Sequence, residues 1–293
     1  MEFDIPQSFR DMPRWWRDGS RWLESLPVLV RTQCARWQLT VSGAAAHGSN
    51  AIVIPVTGAD GVFVLRLTPP GREVGEQIAA LRFWDGRGTV QLVDADADAG
   101  AMLLERLALG TSLRDAPVDE AMDVLGRMMR RLAVPAPAAA PSTAVVVAER
   151  MTTMEPEWDR LGRPFDETLL RRALELGTRL SRTTSDRAVD ADLHSAQVLR
   201  GRREPWLVVD PVLMRGDIAF DLARVLWTRL DEMPARADIV RHFDEVVHAA
   251  AIARDHSRDW VFFRCVDYWL WSLSAGLTED PQRCRRLAAA FDG

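Results

Sequence analysis

The sequence predicts an α+β chain: a helical extension, then a β-rich portion, then a longer and mostly helical one. Three observations predict it. Over residues 1–38, Trp15, Trp16, Trp22, Leu23, Leu26, Leu29 and Trp37 recur with arginines between them, giving the broad apolar face of one or two helices. From 39 to 107 the pattern changes to short strand-like runs, Ala51 to Val56 and Val62 to Leu67 among them, separated by turn residues. From 108 to 293 apolar residues return at helical spacing, interrupted by a strand-and-loop stretch over 190–222. A chain of 293 residues is long enough for two bodies, each with its own core.

The elements follow in order. Gly58-Ala59-Asp60-Gly61 reads as a hairpin turn between two strands, and His47-Gly48-Ser49 as an ordinary turn in which Gly48 is a weak phosphate-loop signal. A helix is expected from about Gly71 to Trp84, then a strand pair ending Met102 to Leu107. The intervening Asp94 to Gly100 lacks the later glutamate of a calcium loop and reads as a solvated hairpin turn. Val124, Leu125, Met128, Met129 and Leu132 predict a helix over 118–133, Pro135 to Pro141 a stiff surface connection, and another helix runs from about Phe165 to Leu180. Beyond Asp221 the chain is helical and rich in tryptophan, with Trp227, Trp260, Trp269 and Trp271, which is read as core.

Composition excludes several functions. A net charge of −5 and 27% charged residues argue against nucleic acid as a general partner and favour a cationic small molecule. The acidic start Met1-Glu2-Phe3-Asp4 has no apolar leader and no run reaches the length of a membrane span, so a cytoplasmic protein with no membrane partner is expected. Cys34, Cys265 and Cys284 lack metal-ligand or disulfide spacing. All 37 basic residues are arginine, which rules out a Gly-x-x-x-x-Gly-Lys phosphate loop and any lysine Schiff base.

The stretch 190–222 carries the chemistry. Asp192 and Asp210 flank a hairpin-like unit of apolar strands, and an amide, Gln197, lies five residues after the first carboxylate. That is the order of parts in a kinase catalytic loop: an aspartate near the acceptor hydroxyl, an amide for one Mg²⁺, and a strand-end aspartate for metal bridging the phosphates.

With the segments Leu81 to Gly88, Leu103 to Leu107, Arg203 to Leu207, Phe220 to Ala223 and Asp259 to Trp271, this loop resembles the aminoglycoside and hydroxyurea antibiotic-resistance kinases, the group that contains streptomycin 6-phosphotransferases. The resemblance implies a two-lobed protein-kinase-like (aminoglycoside phosphotransferase) fold. An N-lobe would occupy 39–107, after the extension, and a C-lobe 108–293. It also implies ATP and Mg²⁺ as cofactors and a small-molecule acceptor, streptomycin-like or another hydroxylated compound. Asp192 takes the catalytic position, and Gln197 and Asp210 those of the metal ligands. Arg66 and Gln77 occupy the positions of the phosphate-holding lysine and its helical glutamate, while Glu105 and Leu107 fall in the hinge that holds adenine. Asp221 is expected to brace the loop by accepting backbone hydrogen bonds.

Several of these positions depart from the family pattern. Arginine replaces lysine at 66, and its permanently charged fork does not reproduce the compact ammonium. Gln77 replaces the glutamate, with Glu76 about 100° away round the helix. Asp190-Ala191 stand where the family has histidine and glycine, and Gln197 is one methylene longer than the usual asparagine. Asp186, Asp190 and Asp217 are candidate acidic contributors to an acceptor cleft. Three readings stay open: an active small-molecule kinase, a pseudokinase that binds or regulates, and a different transferase using the same cleft with another nucleotide arrangement.

Overall fold

The computed structural model describes residues 3–16, 19–108 and 110–292. Met1 and Glu2 of the acidic start, and the side chain of Trp16, lie outside the described residues. Two compact units result: 1–109 with 201–207, and 110–200 with 208–293.

In the first unit, α1 (Gln7–Arg10), a 3-10 turn (Pro13–Trp16) and α2 (Ser20–Arg36) form the extension. Six strands follow: β1 (Thr40–Val41), β2 (Ala46–His47), β3 (Ile52–Gly58), β4 (Gly61–Leu67), β5 (Leu92–Asp96) and β6 (Ala101–Glu105), with α3 (Arg72–Trp84) between β4 and β5. They make one antiparallel sheet in the order β1-β3-β4-β6-β5, with β2 also on β3. Ile52, Ile54 and Val56 of β3 and Leu65 and Leu67 of β4 bury one face of the sheet against Ile5, Phe9, Trp15, Leu26 and Val30. The hydrophobic effect therefore makes the tryptophan-rich extension part of this unit's core. Side chains alternate along a strand, so Arg66 is directed away from that face, in register with Val53 and Met102.

The strand expected to reach Leu107 ends at Glu105. There Arg203 ends the sheet run: it donates to both carboxylate oxygens of Glu105 at 3.2 and 3.0 Å, to Gly86 O at 2.6 Å and to Thr89 O at 2.9 Å. Gly48 closes a plain turn, its N–H on Ala51 O at 3.0 Å, as an ordinary turn would.

The second unit holds α4 (Val118–Leu132), α5 (Thr143–Arg160), α6 (Glu167–Leu180), β7 (Arg187–Asp190), β8 (Val198–Arg200), β9 (Trp206–Val208, which begins in the 201–207 excursion), β10 (Leu213–Gly216), α7 (Leu222–Trp227), α8 (Arg236–Ala250), α9 (Arg254–Ser274) and α10 (Asp280–Phe291). Helix α4 buries Met122, Val124, Leu125, Met128, Met129 and Leu132, the predicted stripe. Its Gly126 lets α8 approach closely, because a Cβ there would stand 2.6 Å from Val246 O. Asp166 caps α6 by accepting from Thr168 N at 2.9 Å. Helix α5 has no counterpart in the sequence reading, since its apolar residues are diluted by threonine, glutamate and Pro156. Trp260 and Trp269 are buried, as the core reading expects, whereas Trp271 is half exposed.

β7 and β10 pair antiparallel, with Asp190 opposite Leu213 and Arg187 opposite Gly216. This two-stranded ribbon delivers the loop that begins at Ala191. Cys34, Cys265 and Cys284 are free thiols. Among the described residues no helix is long and apolar enough to cross a membrane.

Candidate active site

The loop after β7 is held from beneath by Asp190. Its side chain is buried, and Oδ1 accepts the N–H of Val212 at 2.9 Å and, at 3.4 Å, that of Asp192. Leu193 N returns to Asp190 O at 3.1 Å, closing a tight turn with Asp192 at its tip. Burial raises the Asp190 carboxyl to about 7; the backbone donors oppose this, and the charges of Asp192 and Asp210 add to it. An aspartate whose ionisation is suppressed by burial thus occupies the position before Ala191. Being buried, Asp190 cannot contribute to an acidic acceptor surface.

Asp192 is partly exposed and both its oxygens are engaged. Oδ1 accepts from Arg224 Nε at 2.7 Å, and Oδ2 from Gln197 Nε2 at 3.0 Å. Gln197 Oε1 is buried with no hydrogen-bond partner. Val209 N donates to Gln197 O at 2.9 Å, tying the residue before Asp210 to this short 3-10 turn (Ser195–Gln197). The orphaned Gln197 Oε1 is an oxygen donor, and the Val209–Gln197 backbone bond brings the segment that carries Asp210 beside it. That donor chemistry fits Mg²⁺, which takes carboxylate and amide oxygens and keeps water on its other positions.

Beneath the loop lie Asp221, Arg264 and His194. Asp221 is buried and its Oδ1 has no partner. Burial and the neighbouring Asp190 push its carboxyl well up, against the pull of Arg264. The expected brace is thus supplied by Asp190, whose position on a paired strand faces the loop N–H groups. Arg264 is partly buried, its guanidinium 3.9 Å from the Phe220 ring. Burial and the Arg224 charge lower His194 to about 4, so it is neutral at physiological pH. Asp217 caps the 3-10 turn Ile218–Asp221 by accepting from Ala219 N at 3.0 Å, and it pairs with His256. Burial opposes its ionisation, but His256 and the Ala219 N–H outweigh burial and hold the carboxyl low. Asp186 is exposed.

In the first unit, Arg66 is buried within the sheet and Gln77 is half-buried on α3 with Nε2 lacking a partner. Glu76 is exposed and pairs with Arg72 at 3.2 Å, so it is not turned toward the buried side of α3. Glu105 uses its backbone N–H on Gln91 O at 3.0 Å and its side chain on Arg203, and Leu107 is buried. The side-chain identity at 105 therefore matters for holding Arg203, a role the sequence did not disclose. Arg224 was also missed. It lies three residues past Asp221, one turn along α7, and helical spacing from Asp221 was the available signal.

A further cluster, Asp119, His242 and Glu245, has ligand-type atoms within 4.8 Å of one another. The Arg241 guanidinium already sits among them, 2.7 Å from Asp119 and 2.9 Å from Glu245, so the group is an ion-paired contact of α4 with α8.

Comparison with known proteins agrees with this geometry. The family model for aminoglycoside/hydroxyurea antibiotic resistance kinases matches residues 36–276. A streptomycin 6-kinase of Streptomyces glaucescens is 34% identical over 283 residues, covering 94% of this chain and 92% of the relative. A hydroxyurea phosphotransferase of Kitasatospora aureofaciens is 35% identical, covering 90% and 78%. Among solved structures, choline kinase LicA of Streptococcus pneumoniae superposes with a TM-score of 0.63 at 11% identity, covering 91% of this chain and 99% of that one. An aminoglycoside phosphotransferase in ternary complex with AMP-PNP and hygromycin B gives 0.61 at 17%, covering 89% and 97%. The fold is the protein-kinase-like fold of the aminoglycoside phosphotransferases, and the chain belongs to the aminoglycoside/hydroxyurea antibiotic resistance kinase family.

Proposed function

We propose that this protein is an active ATP- and Mg²⁺-dependent kinase that phosphorylates a hydroxyl of a small cationic acceptor of the streptomycin type. The observation that carries the reading is the Gln197 amide, whose nitrogen holds Asp192 while its oxygen is left buried and unpartnered. Leaving a buried acceptor unsatisfied costs about 1–3 kcal/mol, and a ligand cation at that oxygen would recover it.

Asp192 receives the acceptor hydroxyl. Arg224 and Gln197 fix the carboxylate plane, and each carboxylate oxygen retains a lone pair beyond the bond it makes. As the acceptor oxygen bonds to the γ-phosphorus, the bond to the β–γ bridging oxygen breaks, ADP leaves, and the hydroxyl proton passes to Asp192. Gln197 Oε1 and Asp210 would hold Mg²⁺, which when bound neutralises phosphate oxygens. In the first unit we assign phosphate holding to Arg66, with Gln77 as its neighbour in role, and adenine holding to the backbone of Glu105 to Leu107. Catalysis by positioning and charge tolerates arginine for lysine better than covalent chemistry would. The names of the streptomycin and hydroxyurea relatives support a hydroxylated small-molecule acceptor, and the net charge of −5 supports a cationic one. We place the protein in the cytoplasm, where ATP is available.

The pseudokinase reading draws on one specific observation: both oxygens of Asp192 already have partners. Melting temperature with ATP, with and without Mg²⁺, followed by ADP release with streptomycin, tests the choice. Nucleotide at about 100 times its Kd adds roughly 2.7 kcal/mol. A Mg²⁺-dependent shift and streptomycin-dependent ADP release are expected. A shift without ADP release from any hydroxylated acceptor would favour the pseudokinase, and no shift would reject nucleotide binding altogether.

A further inference from the structure

The cations around the catalytic loop are not equivalent. The Arg264 guanidinium packs 3.9 Å from the Phe220 ring with 16% of its side chain exposed, and His194 is neutral, so both are weaker partners than Arg224 for an incoming phosphate. Arg224 is different: its side chain is 26% exposed, and among the described residues it is the cation paired with Asp192. The bond to Asp192 is made through Nε, which leaves the Nη donors of the fork outside that bond.

Neighbouring aromatic rings fix that orientation. The Arg224 guanidinium lies 5.5 Å from the ring of Trp227, three residues on along α7. Trp227 is itself buried and stacks on Tyr268 with centroids 4.2 Å apart and planes at 20°. Tyr268 O–H in turn donates to Asp280 at 2.9 Å. A guanidinium held by a carboxylate on one edge and an aromatic plane on its face has lost most of its rotamer freedom, so little ordering cost remains when it binds. The electrostatics match. Asp192 and Asp210 lie on the loop above the buried Asp190 and Asp221, and a triphosphate approaching the two outer carboxylates needs compensating charge.

Resting on the kinase reading above, we infer that Arg224 is a phosphoryl-binding residue: it keeps Nε on Asp192 and presents its Nη donors to the γ-phosphoryl group that Asp192's acceptor attacks. One side chain then couples the carboxylate that takes the proton to the phosphate that is transferred. The coupling also gives the Asp192 ion pair a purpose beyond resting-state charge balance.

The test compares Mg·AMP-PNP with Mg·ADP by isothermal titration on the full chain, for the wild type, Arg224→Gln and Arg224→Lys. These nucleotides differ at the γ-position. A charge-assisted contact there predicts that Arg224→Gln weakens AMP-PNP on the order of 10-fold or more while ADP stays within about twofold. Arg224→Lys, which keeps the charge without the fork, should fall between, and it stands in should the glutamine variant not fold. Equal weakening of both nucleotides, or of neither, in a folded variant overturns the inference and leaves Arg224 as a partner of Asp192 alone. Failure of the wild type to bind either nucleotide overturns the kinase reading itself, and the inference with it.

Discussion

Gln197 Nε2 donates to Asp192 Oδ2 at 3.0 Å, so one amide orients the carboxylate we assign to catalysis with its nitrogen and leaves its oxygen without a partner. Replacing it by leucine removes both functions at similar volume. Gln197→Leu is expected to lower kcat on the order of 100-fold and to raise the Mg²⁺ concentration needed for half-maximal rate. Initial rates across a Mg²⁺ titration check this. An unchanged Mg²⁺ dependence would remove Gln197 from the metal shell.

Asp190 makes the stability of the second unit depend on pH. Its carboxyl is raised from an ordinary 3.8 to about 7 in the folded chain, so between those values the folded state binds more protons than the unfolded one. Stability contributed here is present at pH 4 and is lost as pH rises toward 7. The two values bound the effect at roughly 4 kcal/mol. Asp190→Asn keeps an oxygen acceptor for Val212 and Asp192 without the ionisation. Its urea midpoint should change less than that of the wild type between pH 4.5 and 7, with the two curves diverging most at the upper end. Parallel curves would mean that Asp190 ionises freely.

Arg203 fastens its own loop to the end of β6 through Glu105 and two backbone carbonyls, Gly86 O and Thr89 O. Removing it strands acceptors that are only partly open to water. After discounting for the 37% exposure of Arg203, Arg203→Ala should cost about 1–3 kcal/mol. Arg203→Lys should recover little, because an ammonium cannot span a carboxylate and two carbonyls at once. Thermal unfolding of both variants in low and high salt decides it. A loss that vanishes at high salt would reduce Arg203 to a surface charge.

What could be read from the sequence followed the strength of its local signals. The helix ending at Trp84, the Gly58 to Gly61 turn and the apolar stripe of α4 carry period and punctuation in a few residues, and each was legible. Helix α5 was not, because threonine, glutamate and Pro156 blur its stripe and its stability comes from tertiary burial of Val147, Met154 and Trp158. At the site, Asp192, Gln197 and Asp210 stood out by order and spacing. Asp190's bracing role needed the β7–β10 register, which places it below two N–H groups. Arg224 and Arg203 were silent for a different reason. In a chain whose every basic residue is arginine, residue type marks nothing, and only the fold shows which guanidinium meets a carboxylate.

Asp192 and Asp210 should separate chemistry from metal binding. Asp192→Ala removes the proposed proton acceptor and frees Arg224 and the Gln197 nitrogen from their partner. Nucleotide affinity should hold or tighten, since a carboxylate near the phosphates is gone and a cation is released, while kcat falls on the order of 100-fold or more. Asp210→Ala removes the proposed metal ligand and spares the Arg224 pair, so the Mg²⁺-dependent part of the ATP-induced melting shift should disappear. Thermal shift with ATP in the presence of Mg²⁺ or EDTA, alongside ADP release, measures both. If Asp192→Ala loses nucleotide binding and Asp210→Ala retains its Mg²⁺ dependence, the two roles are assigned the wrong way round.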